Sequence, residues 1–381
     1  MSLTCPPALP SASETAALAP TVGVEEEFFL LQPDGCTASV APQLLAALSG
    51  SAYVHAEWMQ FQVETVTGIC TDLAMLAAEM GTARRAVAHV ASNWGASLVA
   101  VGTPPFAVPG LMALTDDVRY RHLWERFPEV AAEVVANGCH VHVGVPTRDL
   151  GVQVLNRVRG WLPVLLALSG NSPLWRGRDS GWESYRYEMF TRWPTATAPP
   201  MCEDAATYDA ALAERIRVGA AADAAGVYWL ARLSPRFPTV EIRIGDAGLT
   251  VADTTLLAAL CRSLVATALA EAALGRPLVP LSETVLATSL MSAARYGLEA
   301  RLIDPDSGVL ASGHSVLHRL VAHIDPALAA AGDRSAVATL LAERLRQGSG
   351  AARQIALHRW LDRPAFVAAV AAATLNETSW P

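Results

Sequence analysis

The residues of this chain best placed to do chemistry are acids and bases that share a strand face. The stretch TVGVEEEFFLL, residues 21–31, sets three consecutive glutamates inside an apolar run. Val22, Val24, Phe28, Phe29, Leu30 and Leu31 predict a buried strand. Side chains at i and i+2 of a strand share a face. Glu25 and Glu27 therefore point together and Glu26 points away. Burying an unpaired carboxylate is costly, so either this strand is an edge with a solvated polar face or cations bridge Glu25 and Glu27. A second cluster, HAEWMQFQVETVTG, carries Glu57 and Glu64. Their spacing puts them on opposite faces of one regular strand, so a turn or bulge after Glu57 is needed for both to reach one site. In GCHVHVGV, His140 and His142 share a face, as a metal-binding pair of imidazoles or as hydrogen-bonded core. In TVEIRIGD, Glu241 and Arg243 do the same. They can form a structural salt bridge, or place an acid on a metal and a guanidinium on a phosphate. The segment NSPLWRGRDSGWESYRYEMFTRWPTATAPP interleaves Arg176, Arg178, Arg186 and Arg192 with Trp175, Trp182, Tyr185, Tyr187 and Trp193. That composition suits a lid over a small carboxylate or phosphate, or a surface loop with cation–π packing.

Taken together, oxygen ligands dominate, joined by one or two imidazoles. Hard cations, Mg²⁺ or Mn²⁺, suit such a set better than zinc. Clustered carboxylates with arginine fit a multi-metal nucleotide site, where guanidinium groups stabilise a transferring phosphoryl group.

These residues need a sheet to hold them. Strands are expected at 21–31, over 53–66, at 97–102 and at 139–145. Two further strands, 227–233 and 239–244, flank SPRFP as a hairpin. Helices are expected at 42–48, 72–94, 116–136, 149–169 and 204–224, with mostly helical chain from Asp253 onward. Hairpin-like strands with helices packed around them argue for an α+β fold with an antiparallel sheet in one domain, residues 21–381. Residues 1–20 are small, contain proline, lack a basic start and are expected to form a disordered leader.

The chain has 381 residues, 52% of them hydrophobic and 17% charged, with a net charge of −8. The negative charge and the lack of a basic stripe argue against a nucleic-acid partner. All 28 basic residues are arginine. The absence of lysine excludes a Walker A loop, a kinase core and Schiff-base chemistry. Six scattered cysteines form no C-x-x-C pair, which indicates neither a zinc ribbon nor a disulfide framework and points to a reducing cytoplasm. The most apolar long stretch, TTLLAALCRSLVATALAEAALG, is interrupted by Arg262 and Glu271 and is expected to be a buried helix rather than a membrane span. The alanine-rich helices could bury against a second copy of the chain as easily as against the core.

GVEEEFFLL, GCHVHVGVP, WLPVLLALSGNSPLWRGRDSGWESYR, RWPTATAPP, VEIRIGD, AARYGLEARLID and GAARQ, in this order, resemble the glutamate–cysteine ligase type 2 family of carboxylate–amine ligases. The resemblance covers residues 20 to 360, and its long central block is the specific part. It implies a glutamine-synthetase-like catalytic core, a curved antiparallel sheet lined with metal-ligating acids and flanked by helices. It implies a three-cation site, with Glu25, Glu27, Glu57, Glu64, His140 and Glu241 as metal ligands and His142 as a weaker match. Arg243 corresponds to the phosphate-facing arginine and Arg186 to one near the substrate and phosphoryl group. The implied cofactors are ATP and Mg²⁺ or Mn²⁺, and the implied partners are a glutamate-like carboxylate and an amine acceptor. The implied reaction is amide formation through an acyl phosphate, with cysteine as acceptor in the type activity and loop 171–202 closing over the site.

Other readings are the same chemistry on a different carboxylate–amine pair, a zinc-dependent hydrolase using His140, His142 and a glutamate, and a non-catalytic nucleotide- or amino-acid-binding protein. If mutual repulsion dominates the acidic cluster, Glu25→Gln and Glu241→Gln should leave stability near or above wild type.

Overall fold

The computed structural model describes residues 19–106 and 113–376. The first of its strands, β1 (Val22–Leu31), explains how three glutamates fit in an apolar run. Val22, Val24, Glu26 and Phe28 are buried on one face, while Glu25 and Glu27 are half-buried on the other. From Phe28 onward both faces are covered. Glu26 is not left unpaired. Arg84, fully buried on the helix Leu73–Ser92, donates to both of its carboxylate oxygens, and Thr254 Oγ1 on the helix Val251–Ala273 donates at 2.7 Å.

The other strands are β2 (Val54–Ala56), β3 (Gln62–Val66), β4 (Ser97–Val99), β5 (Gly138–Gly144), β6 (Leu174–Trp175), β7 (Arg178–Asp179), β8 (Ala231–Leu233), β9 (Thr239–Asp246), β10 (Arg301–Ile303) and β11 (Leu310–Ser312). The main sheet runs β2-β3-β1-β5-β9-β8, with β4 pairing β1 beyond the end of β5. Every pairing in it is antiparallel, as the hairpin-rich sequence predicts. Helices flank it. Arg148–Val158, Leu162–Ser169 and Val251–Ala273 pack apolar side chains against Val141, Val143, Val240, Ile242 and Ile244 from the inner face of β5 and β9. The opposite face is left for the acids.

The hairpin around SPRFP is as expected, with Ser234 N donating to Thr239 O at 3.0 Å. The stretch 53–66 is two short strands separated by a turn at 57–61, where Trp58, Met59 and Phe61 bury into a second apolar cluster. Five expectations change. The helix predicted at 149–169 is two, Arg148–Val158 and Leu162–Ser169, joined by a 3-10 turn at Arg159–Trp161. The helix predicted at 116–136 is two, Val118–Arg126 and Pro128–Glu133, because Pro128 has no N–H and holds Phe127 out of the helical region at φ −137°. The helix predicted at 204–224 ends at Arg217, before Gly219 at φ +81°. The strand predicted at 227–233 shrinks to β8, since Leu230 N donates instead to Thr197 O. The strand predicted at 97–102 stops at Val99, because Ala100 N donates to Thr374 Oγ1 and Gly102 N to Asn171 O.

The apolar stretch predicted as a buried helix is Val251–Ala273. Among the described residues it alone is long and apolar enough to cross a membrane, yet most of it is buried, and Arg262 within it pairs with Asp333. Cys36, Cys70, Cys139, Cys202 and Cys261 are free thiols. The expected leader, up to residue 18, and Cys5 within it lie outside the described residues.

Candidate active site

Strand register brings the acids together. Glu27 sits opposite Glu64 across β1 and β3, Glu25 opposite His140 across β1 and β5, and His142 opposite Glu241 across β5 and β9. Paired residues of an antiparallel ladder share a face, so all six project from the side of the sheet away from the helices. A register shift between Cys139 and Val141 lets Arg243 reach His140, its Nη1 lying 3.4 Å from the Nδ1 of that ring. The turn after Glu57 folds this residue back to the same cavity, which is the turn its spacing from Glu64 requires. The cavity is about 1480 Å³ and is lined by Glu25, Glu27, Glu57, Glu64, His140, His142, Arg186, Glu241 and Arg243, the residues expected from the sequence to face metal or phosphate.

Contacts inside the cavity are dense. His140 Nδ1 lies 3.1 Å from one oxygen of Glu25, and its Nε2 lies 3.7 Å from Glu27. His142 Nε2 lies 3.2 Å from the other Glu25 oxygen, and its Nδ1 is 2.9 Å from Thr239 Oγ1. Gly138 N donates to Glu27 at 2.6 Å. Among the described residues two groups could share a cation, Glu25 with His140 and Glu241, and Glu27 with Glu64 and His140, their ligand atoms lying within 4.8 Å of one another.

The electrostatics divide the acids into two kinds. Burial raises the Glu25 carboxyl, but hydrogen bonds and charge from His140 and His142 outweigh it and hold it far below the usual range. Burial likewise opposes ionisation of Glu241, and the guanidinium groups of Arg243 and Arg232 overcome it, holding it at about 2. At Glu57 and Glu64 the charge of Arg243 acts in the same direction but is outweighed. Burial and then the charge of Glu27 push Glu57 up to about 8, and burial with Glu25, Glu57 and Glu27 pushes Glu64 well above its usual value. Burial and the nearby Arg243 lower the His140 pKa, which favours the neutral imidazole a metal requires.

Arg232 is the functional-face residue that sequence reasoning missed. Its Nε donates to Glu241 at 2.8 Å and its Nη2 at 3.2 Å, and its Nη1 is held by the carbonyls of Ala225 and Val227. Its only sequence signal is register across the SPRFP hairpin, which places it opposite Glu241. Glu241 also pairs with Arg243, so the structural salt bridge and the cavity-facing acid are the same residue.

The 171–202 segment is more embedded than a lid. Arg186, on the helix Tyr185–Phe190, is buried, and its guanidinium donates to the carbonyls of Ile244 and Arg243 at 3.3 Å. Phe190 and Trp193 also line the cavity. Arg176, Arg178 and Arg192 instead face outward, Arg176 and Arg192 toward Glu133, and Arg176 over the ring of Trp175.

Residues 21–368 match the model of glutamate–cysteine ligase family 2. A Salinispora tropica protein provisionally named glutamate–cysteine ligase 2 is 42% identical over 337 residues, 88% of this chain and 89% of that one. A Mycolicibacterium vanbaalenii protein, provisionally named glutamate–cysteine ligase 2-2, is 40% identical and covers 94% and 99%. The fold is shared with the glutamate–cysteine ligase of Francisella tularensis, solved in complex with AMP, at a TM-score of 0.68, 13% identity and coverage of 96% and 90%. It is shared also with a bifunctional glutathione synthetase of Pasteurella multocida, at 0.70, 14% identity and coverage of 96% and 53%. A match across nearly the whole chain, joined to relatives at this identity, makes the chain a member of glutamate–cysteine ligase family 2, and a ligase.

Proposed function

We propose that the enzyme joins a glutamate-like carboxylate to an amine at the expense of ATP, with L-glutamate and L-cysteine as the substrate pair. The observation that carries this reading is one sheet face that gathers five carboxylates and His140 into a single cavity. At Glu57 and Glu64 burial and the charge of neighbouring glutamates outweigh the pull of Arg243 and raise both carboxyls. The donor set fits Mg²⁺ or Mn²⁺: mostly carboxylate oxygens, with a single imidazole in each candidate group. It does not favour zinc, which prefers nitrogen and sulfur, so the hydrolase reading gains no support. Bound divalent ions would be held by Glu25, Glu27, Glu57, Glu64, His140 and Glu241, and would screen the repulsion between carboxylate and triphosphate.

The chain's own groups do the rest. The substrate carboxylate oxygen attacks the terminal phosphorus of ATP, the bond to ADP breaks, and an acyl phosphate forms. The amine nitrogen then attacks the acyl carbon, phosphate leaves, and a proton is lost from nitrogen. Arg243, fixed by Glu241, and Arg186, fixed by carbonyls of β9, offer planar forks to the phosphoryl oxygens. His142, tied to Thr239, lines the nucleotide side. The aromatic wall of Phe190 and Trp193 excludes water from the acyl phosphate. The solved complex of the Francisella ligase with AMP favours nucleotide use.

The test is ADP release from Mg²⁺-ATP with L-glutamate, screened with L-cysteine and other amines. ADP that appears only when both substrates are present is the expected result. ADP with another pair would change the substrates, and no ADP with any pair would refute the ligase chemistry.

A further inference from the structure

Asp246 closes TVEIRIGD, yet it is fully buried and does not line the cavity. Its carboxylate accepts from Asn171 N at 2.8 Å, Ser172 Oγ at 2.6 Å and Ser184 Oγ at 2.7 Å. Both hydroxyls pass the contact on. Ser172 Oγ accepts from the backbone N of Arg186 at 3.0 Å, and Ser184 Oγ caps the same helix by accepting from Tyr187 N at 3.3 Å. A hydroxyl that donates to Asp246 has its lone pairs turned to the helix N–H groups. The guanidinium of Arg186 then lies 3.9 Å from Asp246 and against the backbone of Gly138, where an added Cβ would stand 2.3 Å from its Nη2.

The far side of this knot is tied down by the GAARQ stretch. Gln354 Nε2 donates to Asn171 O at 2.8 Å and Oδ1 at 2.6 Å, and Asn171 Nδ2 donates to the carbonyls of Ala100 and Ala247. We propose that Asp246 is a positioning residue for the ligation: through Ser172 and Ser184 it sets the helix that carries Arg186, and Gly138 leaves the slot into which the guanidinium is set. This rests on the role given to Arg186 above. Asparagine at 246 keeps the shape but brings an N–H that competes with the serine hydroxyls, so they turn and the helix start loosens.

The test is a double-mutant cycle on ADP release with Asp246→Asn, Gly138→Ala and Arg186→Lys, singly and in pairs, with thermal melts on each. Asp246→Asn and Gly138→Ala should each lower kcat by roughly 10- to 100-fold, with the KM for ATP within about threefold. In the Arg186→Lys background each should add less than about threefold, since the group they position is already lost. A structural role alone would lower activity equally in both backgrounds, and that additivity, or a wild-type kcat in the single variants, would overturn the proposal. If Asp246→Asn does not fold, the Gly138→Ala cycle decides. If the wild-type protein releases no ADP with any pair, the ligase reading is what fails. The Nε–H signal of Arg186 in ¹⁵N-arginine-labelled protein, assigned by its loss in Arg186→Lys, then judges the positioning: displaced in both single variants, it supports the proposal; unmoved, it overturns it.

Discussion

At the scale of single residues, the acidic face contains two opposed kinds of carboxylate. Glu241 is held ionised by Arg232 and Arg243. Neutralising it leaves two buried guanidinium groups without their counter-charge. Glu241→Gln is therefore expected to abolish ADP formation and also to lower the melting temperature. This replaces, for Glu241, the expectation from repulsion alone that stability would be kept; Glu25 faces the imidazoles of His140 and His142 rather than guanidinium groups, so for Glu25→Gln that expectation stands. Glu64→Gln should instead raise the melting temperature of the metal-free protein, because it removes an acid that burial and its neighbours already disfavour as an anion. Equal melting shifts for Glu241→Gln and Glu64→Gln would contradict this division. Arg243→Lys should lose most activity in steady-state assays, because an ammonium cannot reproduce the planar fork; near-normal turnover would remove its assigned role. The i, i+2 spacing of ionisable side chains made Glu25, Glu27, His140, His142, Glu241 and Arg243 legible in sequence. Arg232 was not, because its contact with Glu241 depends on hairpin register, and Arg84 was not, because 58 residues separate it from Glu26.

At the scale of elements, β1 is fastened from below as well as used from above. The Glu26–Arg84 pair, with Thr254 and the carbonyls of Gly248 and Thr374, ties β1 to two helices and the C-terminal end. Removing one partner leaves an uncompensated buried charge, so Glu26→Ala should cost about 3–5 kcal/mol in urea unfolding. A loss under about 1 kcal/mol would show that the pair is dispensable. The strands of the site were readable because alternation survives in short windows: CHVHVGV and TVEIRIG each place polar groups on one face only. The ends of elements were less so. Tertiary partners decide them, as where Thr374 captures Ala100 N and ends β4. The break at Phe127–Pro128 did carry a local signal, the proline itself, which the helical periodicity around it obscured.

At the scale of the whole molecule, the sheet gathers like charges that a bound divalent cation would screen. Glu57 and Glu64 have folded-state pKa values raised above their unfolded ones, so the folded protein holds more protons above the ordinary carboxylate range. Stability of the metal-free enzyme should then fall as pH rises, through a window running for Glu57 from 4.5 to about 8. Mg²⁺ should flatten that slope and release protons on binding. Melting curves across pH with and without Mg²⁺ check this, and a slope that Mg²⁺ leaves unchanged would contradict it. The central claim, that a carboxylate is activated by phosphoryl transfer, is tested most directly with L-glutamate labelled with ¹⁸O in its side-chain carboxylate, together with Mg²⁺-ATP and L-cysteine. The account predicts one ¹⁸O atom in each released phosphate, carried over when the acyl phosphate is cleaved by the amine. ADP formed alongside unlabelled phosphate would contradict it.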